Sequence, residues 1–175
     1  MSESDLPLRA SCRGLVFDDD SRVLLAQHRI DEETTVWVGP GGGVEDGESL
    51  VEALARELFE ETGLVLTDQT APALVWAQEN RFPEMEPHGY SGVTGHFYVV
   101  PLSAFTREAG ALVDAADHPC EDGVLDMRWW SLDDVEAAQR QAVLFGPRAF
   151  PRLMRDLLDP DGFEAMRRAP LLLGL

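Results

Sequence analysis

Short runs in which apolar and polar residues alternate recur along the chain, and each predicts a β-strand. The first two runs flank a cluster of turn-forming residues, Asp18 to Ser21, so we expect them to form a hairpin. Strands are predicted at residues 9–17, 22–30, 35–38, 73–81, 93–101 and 126–131. The pattern supplies strands and helices in alternation, but it does not specify one sheet topology.

A helical period begins after Ser49, which is a suitable N-cap with Glu52 three residues later, as in a capping box. Gly63 suits the left-handed residue that follows a helix, so the helix should end near Thr62. The apolar positions of this segment gather on one face, which we expect to pack on a sheet. They are Val51, Leu54, Ala55 and Leu58.

Downstream, a helix is predicted from Leu132 to about Leu144 and another over residues 151–158. The apolar end of the tail is expected to dock on the body of the protein or on a second subunit. With 175 residues, the chain is expected to form a single domain over 1–175. Its residues 1–9 should be a loose N-terminus, and residues 146–175 a C-terminal helical extension.

Three glutamates, Glu57, Glu60 and Glu61, lie near the end of the first predicted helix, after a glycine-rich turn at residues 41–47. Their spacing places three carboxylates on one side of a helix, where like charges repel and the macrodipole favours cations. A divalent cation would remove both penalties, since hard cations take oxygen ligands. A solvated acidic face explains the same spacing, so both interpretations stay open at this point.

The formal net charge of −18, from 14 basic and 32 acidic residues, disfavours binding to a nucleic-acid polymer. No apolar run approaches the roughly 18 residues that span a membrane, so no membrane association is expected. The polar, acidic N-terminus lacks an export signal, which favours a cytoplasmic location. The two cysteines, Cys12 and Cys120, have no metal-binding spacing and are expected to be reduced.

The glycine turn and the helix after it together resemble the signature of the Nudix hydrolases. That signature specifies nine positions, and the chain matches all of them with Gly42, Glu48, Arg56, Glu57, Leu58, Glu60, Glu61, Gly63 and Leu64. A Trp-x-x-Pro sequence before the glycines, Trp37 to Pro40, and a later Arg128-Trp129 pair also look like the family. The resemblance is sharp over residues 41–64 and extends more loosely over 10–145.

The resemblance implies an α/β/α sandwich with a mixed β-sheet between helices. It implies hydrolysis of a small-molecule diphosphate, a nucleoside diphosphate linked to another group, with Mg²⁺ or Mn²⁺. Carried over, Glu57 and Glu61 are metal ligands, Glu60 is a further ligand or the base for water, and a carbonyl of Gly41 or Gly42 completes the ligand set. The predicted catalytic residues also include Arg56 and Glu48, which pair to hold the turn against the helix. A homodimer is possible, as in similar proteins.

Substrate contacts lie outside the signature, and we predict Arg29, Trp37 and Arg81 as substrate-binding residues. Each has a plain alternative: surface charge for the arginines and core packing for Trp37. Arg13 and His28 are further candidates for phosphate or base contacts. The aromatic residues Trp76, Phe82 and Tyr90 are candidates for stacking on a base. The identity of the general base stays open among Glu60, Glu79, Glu84, Glu86, Glu121 and Asp122.

Two other functions fit a Nudix-like chain. Some domains of this type bind nucleotides or ADP-ribose as sensors without turnover, but the intact signature here favours catalysis. An isomerase of isopentenyl diphosphate has a similar fold and uses an active-site cysteine. Neither Cys12 nor Cys120 lies in a matching context, so this reading is disfavoured.

Overall fold

The computed structural model describes residues 6–68, 71–107 and 123–174. The first strand begins at Leu8, and the carbonyl oxygens of Leu6 and Pro7 accept hydrogen bonds from Ser91. Of the residues 1–9 predicted as a loose terminus, residues 8–9 therefore belong to a paired strand, and hydrogen bonds from Ser91 hold residues 6–7. Residues 1–5 of that prediction lie outside the described residues.

Ten strands and four α-helices occur in the described ranges, and all six predicted strands are among them. The strands are β1 (Leu8–Phe17), β2 (Val23–Arg29), β3 (Thr35–Val38), β4 (Leu64–Leu66), β5 (Ala73–Arg81), β6 (Gly92–Pro101), β7 (Phe105–Arg107), β8 (Val124–Trp130), β9 (Leu144–Gly146) and β10 (Leu171–Leu173). The helices are α1 (Leu50–Thr62), α2 (Leu132–Arg140), α3 (Phe150–Leu158) and α4 (Pro160–Arg168), with short 3-10 helices at Pro83–His88 and Leu102–Ala104.

One large sheet has the strand order β10-β5-β6-β1-β2-β3-β9, and β8 also pairs with β2. The sheet is mixed, since β1–β6, β3–β9 and β5–β10 are parallel and the other pairs are antiparallel. Strands β4 and β7 form a separate antiparallel pair. The predicted mixed sheet is confirmed.

Helices cover both faces of this sheet, so the predicted α/β/α sandwich is confirmed. Helix α1 packs on one face through Leu54 and Leu58, against a cluster that includes Cys12. Helices α3 and α4 cover the other face, where Leu153 and Met166 belong to a second buried cluster. Within the described ranges, none of the helices has both the length and the apolar character needed to cross a bilayer.

Helix α1 matches the predicted capping. The Ser49 hydroxyl accepts a hydrogen bond from the Glu52 N–H at 3.2 Å, the Glu52 carboxylate accepts one from the Ser49 N–H at 2.8 Å, and Gly63 has a φ of 69°. The buried face differs from the prediction, however. Val51 is 42% exposed, whereas Glu61 is only 6% exposed, because this side of the helix faces the glycine turn.

The C-terminal extension, predicted as helical, contains helices α3 and α4 but also strand β10, which joins the sheet edge beside β5. Helix α2 ends at Arg140 instead of near Leu144, and Leu144 begins the unpredicted strand β9. Both errors have one cause, since the free edges of β3 and β5 supply backbone partners that local sequence cannot reveal. Docking of the apolar tail on the body agrees with the position of β10.

Candidate active site

The glycine turn takes the place of a strand beside β1. Strand β1 pairs with β2 only at Phe17↔Val23. Further along, Cys12 N–H donates to the Gly42 carbonyl at 2.9 Å, and Gly14 N–H donates to the Pro40 carbonyl at 2.7 Å. The turn is therefore held firmly at a point where the sheet opens between β1 and β2.

Two glycines allow the close approaches that this arrangement requires. Gly41 has a φ of 143°, and a Cβ there would lie 2.2 Å from the Cys12 carbonyl oxygen. A Cβ on Gly42 would lie 2.5 to 2.7 Å from the carboxyl group of Glu57. The absence of side chains thus brings the turn against β1 on one side and against α1 on the other.

Arg56 and Glu48 brace the turn against α1, as the resemblance implied. Arg56 Nε donates to Glu48 Oε1 at 2.8 Å and Arg56 Nη2 donates to Glu48 Oε2 at 2.9 Å, a bidentate pair. The same Nη2 donates to the Gly43 carbonyl at 3.0 Å. The hydrogen bonds from Arg56, with one from the Glu45 N–H, lower the pKa of Glu48 to about 2. The brace therefore stays charged across the neutral range.

The three signature carboxylates lie at different depths. Glu61 is buried, and its Oε2 accepts a hydrogen bond from the Gly41 N–H at 2.9 Å. Arg56 Nη1 donates to Glu57 Oε1 at 2.9 Å and to Glu60 Oε2 at 3.4 Å, and the Glu60 side chain is half exposed. Glu61 is thus close to the buried, apolar side of α1.

These carboxylates are neighbours but do not form a closed ligand set. Among the residues that the structure describes, no three His, Cys, Asp or Glu side chains lie close enough together to hold a metal ion. The donor chemistry does fit a hard divalent cation, because carboxylate and backbone carbonyl groups supply only oxygen atoms. The missing side chain of Gly42 also lets the Glu57 carboxyl group lie directly against the turn. The residues present are therefore compatible with such an ion.

Two arginines of β1 contact the turn from the face opposite α1. Arg13 Nη1 donates to the Gly41 carbonyl at 2.7 Å and to the Gly39 carbonyl at 3.4 Å. Burial lowers the pKa of Arg13, and the nearby Glu61 carboxylate opposes that shift. The Arg9 guanidinium lies against Gly43, where a Cβ would approach it to 2.5 Å. The sequence indicated Arg13 as one candidate among several, but Arg9 was missed. Side chains alternate between the two faces of a strand, so Arg9 and Arg13 lie on the same face of β1, and this spacing could have identified Arg9.

The predicted substrate-binding arginines are not at the turn. Arg29 is exposed at the end of β2, and its Nη1 donates to the Glu32 carbonyl at 3.2 Å. Arg81, at the end of β5, donates to the Ser91 hydroxyl at 2.6 Å. Both side chains brace local loops, so the structure does not bring them together with the glutamates.

The aromatic candidates divide between core and surface. Trp76 is fully buried, and Trp37 is 4% exposed in the same cluster, where its ring contacts Trp130 edge-on at 5.0 Å. Both residues thus pack in the core. Phe82 is 37% exposed and precedes the 3-10 helix that occupies the predicted loop.

The candidate bases outside the signature are likewise dispersed. Glu79 is exposed on β5, whereas Glu84 and Glu86 are exposed on the 3-10 helix Pro83–His88. Glu121 and Asp122 lie outside the described residues, as does Cys120. Glu60 is therefore the one described candidate base that shares a hydrogen-bonding partner, Arg56, with another signature carboxylate.

A polar groove of about 520 Å³ lies on the sheet face opposite α1. Its floor is built by β2, β3 and β8, and its wall by the segment between α2 and β9. Its lining residues are Gln27, Glu33, Thr34, Thr35, Trp37, Asp126, Arg128, Gln141, Ala142, Val143 and Leu144. The Arg128 guanidinium lies 3.8 Å from the ring centroid of Trp130 and 4.8 Å from that of Trp37.

The amino-acid sequence is similar to those of known proteins. The family model described as NUDIX domain matches residues 7–153. An RNA pyrophosphohydrolase of Cereibacter sphaeroides is 30% identical over 139 residues, which cover 76% of this chain and 82% of that protein.

Solved structures support the same fold. A NUDIX hydrolase from Nitrosomonas europaea superposes with a TM-score of 0.60 at 19% identity, covering 94% of this chain and 93% of that one. A bifunctional NMN adenylyltransferase/ADP ribose pyrophosphatase from Francisella tularensis, complexed with AMP and a Mn ion, has a TM-score of 0.50 at 25% identity. That match covers 77% of this chain and 37% of the other.

The family match spans most of the chain, and the nine signature residues lie on the turn and helix described above. The chain therefore belongs to the NUDIX domain family and is an enzyme of its pyrophosphohydrolase class.

Proposed function

We propose that this chain is a Mg²⁺- or Mn²⁺-dependent hydrolase of a small-molecule diphosphate, a nucleoside diphosphate linked to another group. Water attacks phosphorus, and an acid anhydride bond is broken. The observation that carries the proposal is the meeting of opposite charges at the glycine turn. Glu57 and Glu61 contact Gly42 and Gly41 from one side, and Arg9 and Arg13 contact the turn from the other.

In this proposal Glu57, Glu60, Glu61 and a carbonyl of Gly42 hold the metal ion. When bound, such an ion neutralises phosphate charge and lowers the pKa of water. Arg56 and Glu48 keep the turn and the helix in register, which is a positioning role. Glu60 is the proposed base, since its half-exposed carboxylate is accessible to water and Arg56 orients it.

Arg9 and Arg13 are proposed to contact the phosphates. Anionic substrates are repelled by a chain with a net charge of −18, so local cations are needed at the site. Guanidinium groups suit this task because they pair with phosphate oxygens through two parallel hydrogen bonds. Both arginines already lie against the turn that the carboxylates contact.

A small-molecule substrate is favoured over an RNA 5′ end. The Cereibacter sphaeroides relative is named for RNA, so a 5′-triphosphorylated oligoribonucleotide belongs among the compounds tested. A polymer requires a basic track along its backbone, and the acidic surface of this chain opposes one. We also propose a cytoplasmic location. We further propose that the protein is a homodimer, and size-exclusion chromatography with light scattering would test this oligomeric state.

A substrate panel tests the proposal. ADP-ribose, nucleotide sugars, dinucleoside polyphosphates, nucleoside triphosphates and a 5′-triphosphorylated oligoribonucleotide are incubated with the protein, with and without Mg²⁺ or Mn²⁺. We expect metal-dependent release of a nucleoside monophosphate from at least one small molecule. Binding of one compound without hydrolysis of any would favour a nucleotide sensor instead, and cleavage of the oligoribonucleotide alone would refute the small-molecule assignment.

A further inference from the structure

The polar groove on the sheet face opposite α1 contains an arginine–tryptophan arrangement that core packing does not explain. Trp37 and Trp130 are buried, and the Arg128 guanidinium covers both rings within the distance of cation–π contacts. Arg128 itself is exposed and lines the groove. The guanidinium therefore contacts both tryptophan rings, and the residue remains accessible from the groove.

The strand register places polar side chains next to Arg128 and the two tryptophans. Gln27 pairs with Trp37 on one side and with Asp126 on the other, so the three residues form a row across β3, β2 and β8. Gln27 Nε2 is engaged with the Thr35 hydroxyl at 3.0 Å, which leaves the amide oxygen as an acceptor. The groove thus combines a flat cationic surface with acceptor oxygens from Gln27 and Asp126.

The charge of the groove argues against a phosphate as its occupant. Asp126 and Glu33 carry two negative charges against the single positive charge of Arg128. A flat, uncharged group that donates hydrogen bonds suits such a lining better than an anion does. Nucleobases with an exocyclic amino group have this chemistry, and guanidinium planes stack on bases.

The groove is also within reach of the glycine turn. Trp37 and Gly41 are four residues apart, which limits their separation to roughly 14 Å. Ala142 lies in the wall of the groove, and its backbone φ of 63° is in a region that alanine rarely adopts. Backbone strain of this kind often marks functional segments.

We propose that Arg128, in cation–π contact with Trp37 and Trp130, is the platform on which this protein binds an amino-bearing purine base of its substrate. Asp126 and Gln27 accept hydrogen bonds from the edge of that base. The inference rests on the proposed function for the phosphate end, since it places the diphosphate at the glycine turn. It assigns base specificity to β2 and β8, outside the Nudix signature.

Binding in a metal-free buffer tests this site separately from catalysis. AMP, GMP, UMP and ribose 5-phosphate are titrated into the full chain with EDTA, and calorimetry and tryptophan fluorescence report binding. We expect AMP or GMP to bind roughly tenfold or more tightly than ribose 5-phosphate, which is the scale of one base-stacking contact. UMP, which lacks the amino group and the larger ring, should bind more weakly than either purine nucleotide.

Variants then assign the effect to Arg128. Arg128→Ala should remove the advantage of the purine nucleotides over ribose 5-phosphate, and Arg128→Lys should remove most of it, because lysine keeps the charge but lacks the plane. Asp126→Asn should reduce the preference for purines over UMP. Arg152→Ala, on the exposed surface of α3 and outside the groove, is the matched control and should bind as the wild type does.

The outcomes separate this inference from the proposed function. Equal binding of ribose 5-phosphate and the purine nucleotides would overturn it, as would wild-type affinity in both Arg128 variants with native circular dichroism. The absence of AMP and GMP binding at millimolar concentration would also count against it. Arg128-dependent binding in a protein that hydrolyses no compound of the panel would leave the platform standing and refute the proposed activity.

Discussion

The backbone N–H of Gly41 donates a hydrogen bond of 2.9 Å to Glu61 Oε2, although 20 residues separate the two in the chain. This contact ties the last turn of α1 to the glycine turn and buries a carboxylate that sequence periodicity places on an acidic surface. It also orients Glu61 toward the part of the turn that Arg13 contacts from the other side. The candidate active site is organised around this connection.

Glu61→Gln should remove most activity without unfolding the protein. The amide has the same shape but no charge, so it weakens any electrostatic role at the phosphates. We expect kcat to fall about 10²- to 10³-fold, the usual effect of losing one preorganised electrostatic group. Circular dichroism and turnover of the best panel substrate provide the measurement. Glu32→Gln, in an exposed loop, is the control, and near-wild-type turnover of Glu61→Gln would refute the assignment.

Gly42→Ala should impair catalysis more than folding. The new Cβ would meet the Glu57 carboxyl group at 2.5 to 2.7 Å, and that group lies at the end of a flexible side chain that can move away. We therefore expect a small change in thermal midpoint and a loss of activity of about tenfold or more, as when groups that orient metal ligands are altered. Gly174→Ala, with no atoms near its Cβ position, is the matched control. Unchanged turnover would show that the position of Glu57 is not required.

Arg56→Lys should uncouple the turn from the helix. Lysine cannot reproduce the bidentate pair with Glu48 together with the bond to the Gly43 carbonyl. We expect a lower thermal midpoint and a decrease in activity of about 10- to 100-fold, the range for residues that orient metal ligands. Exposed Arg148→Lys serves as control. If the two variants behave alike, the brace has no positioning role.

The Glu48 carboxylate should contribute to acid sensitivity. Its pKa is lowered from 4.5 to about 2 in the folded protein, so the unfolded chain binds its proton first as pH falls. The stabilisation from Glu48 is therefore complete above about pH 4.5 and is lost as pH decreases toward 2. Urea unfolding of the wild type and Glu48→Gln between pH 6 and 3 should give free energies of unfolding whose difference is largest at pH 6 and decreases toward pH 3. A difference that does not change with pH would contradict the lowered pKa.

The Cys12 thiol should be unreactive in the folded protein. Cys12 is fully buried, and burial raises its pKa to about 11, so little thiolate exists near neutral pH. In a Cys120→Ser background, iodoacetamide at pH 8 should label Cys12 only after addition of urea, as mass spectrometry would reveal. Rapid labelling of the native chain would instead indicate an accessible thiol, and would reopen a role for it in catalysis.

The local parts of the site follow from the sequence alone. The ends of α1 follow from Ser49, Glu52 and Gly63, because capping joins groups only a few residues apart. The six predicted strands likewise follow from short apolar patterns. The pairing of Arg56 with Glu48 was implied by the family signature and lies within one segment of the chain, which is why it could be anticipated.

The tertiary structure determines which distant residues meet. The register of β1 beside the glycine turn brings Arg9 against Gly43 and Arg13 close to Glu61, and the pairing of β2 with β8 brings Arg128 over Trp37. These contacts depend on sheet hydrogen bonds between segments far apart in the chain. A strand pattern specifies which face is buried but not which strand lies beside it, so neither the arginines at the glycine turn nor the groove could be read from the sequence.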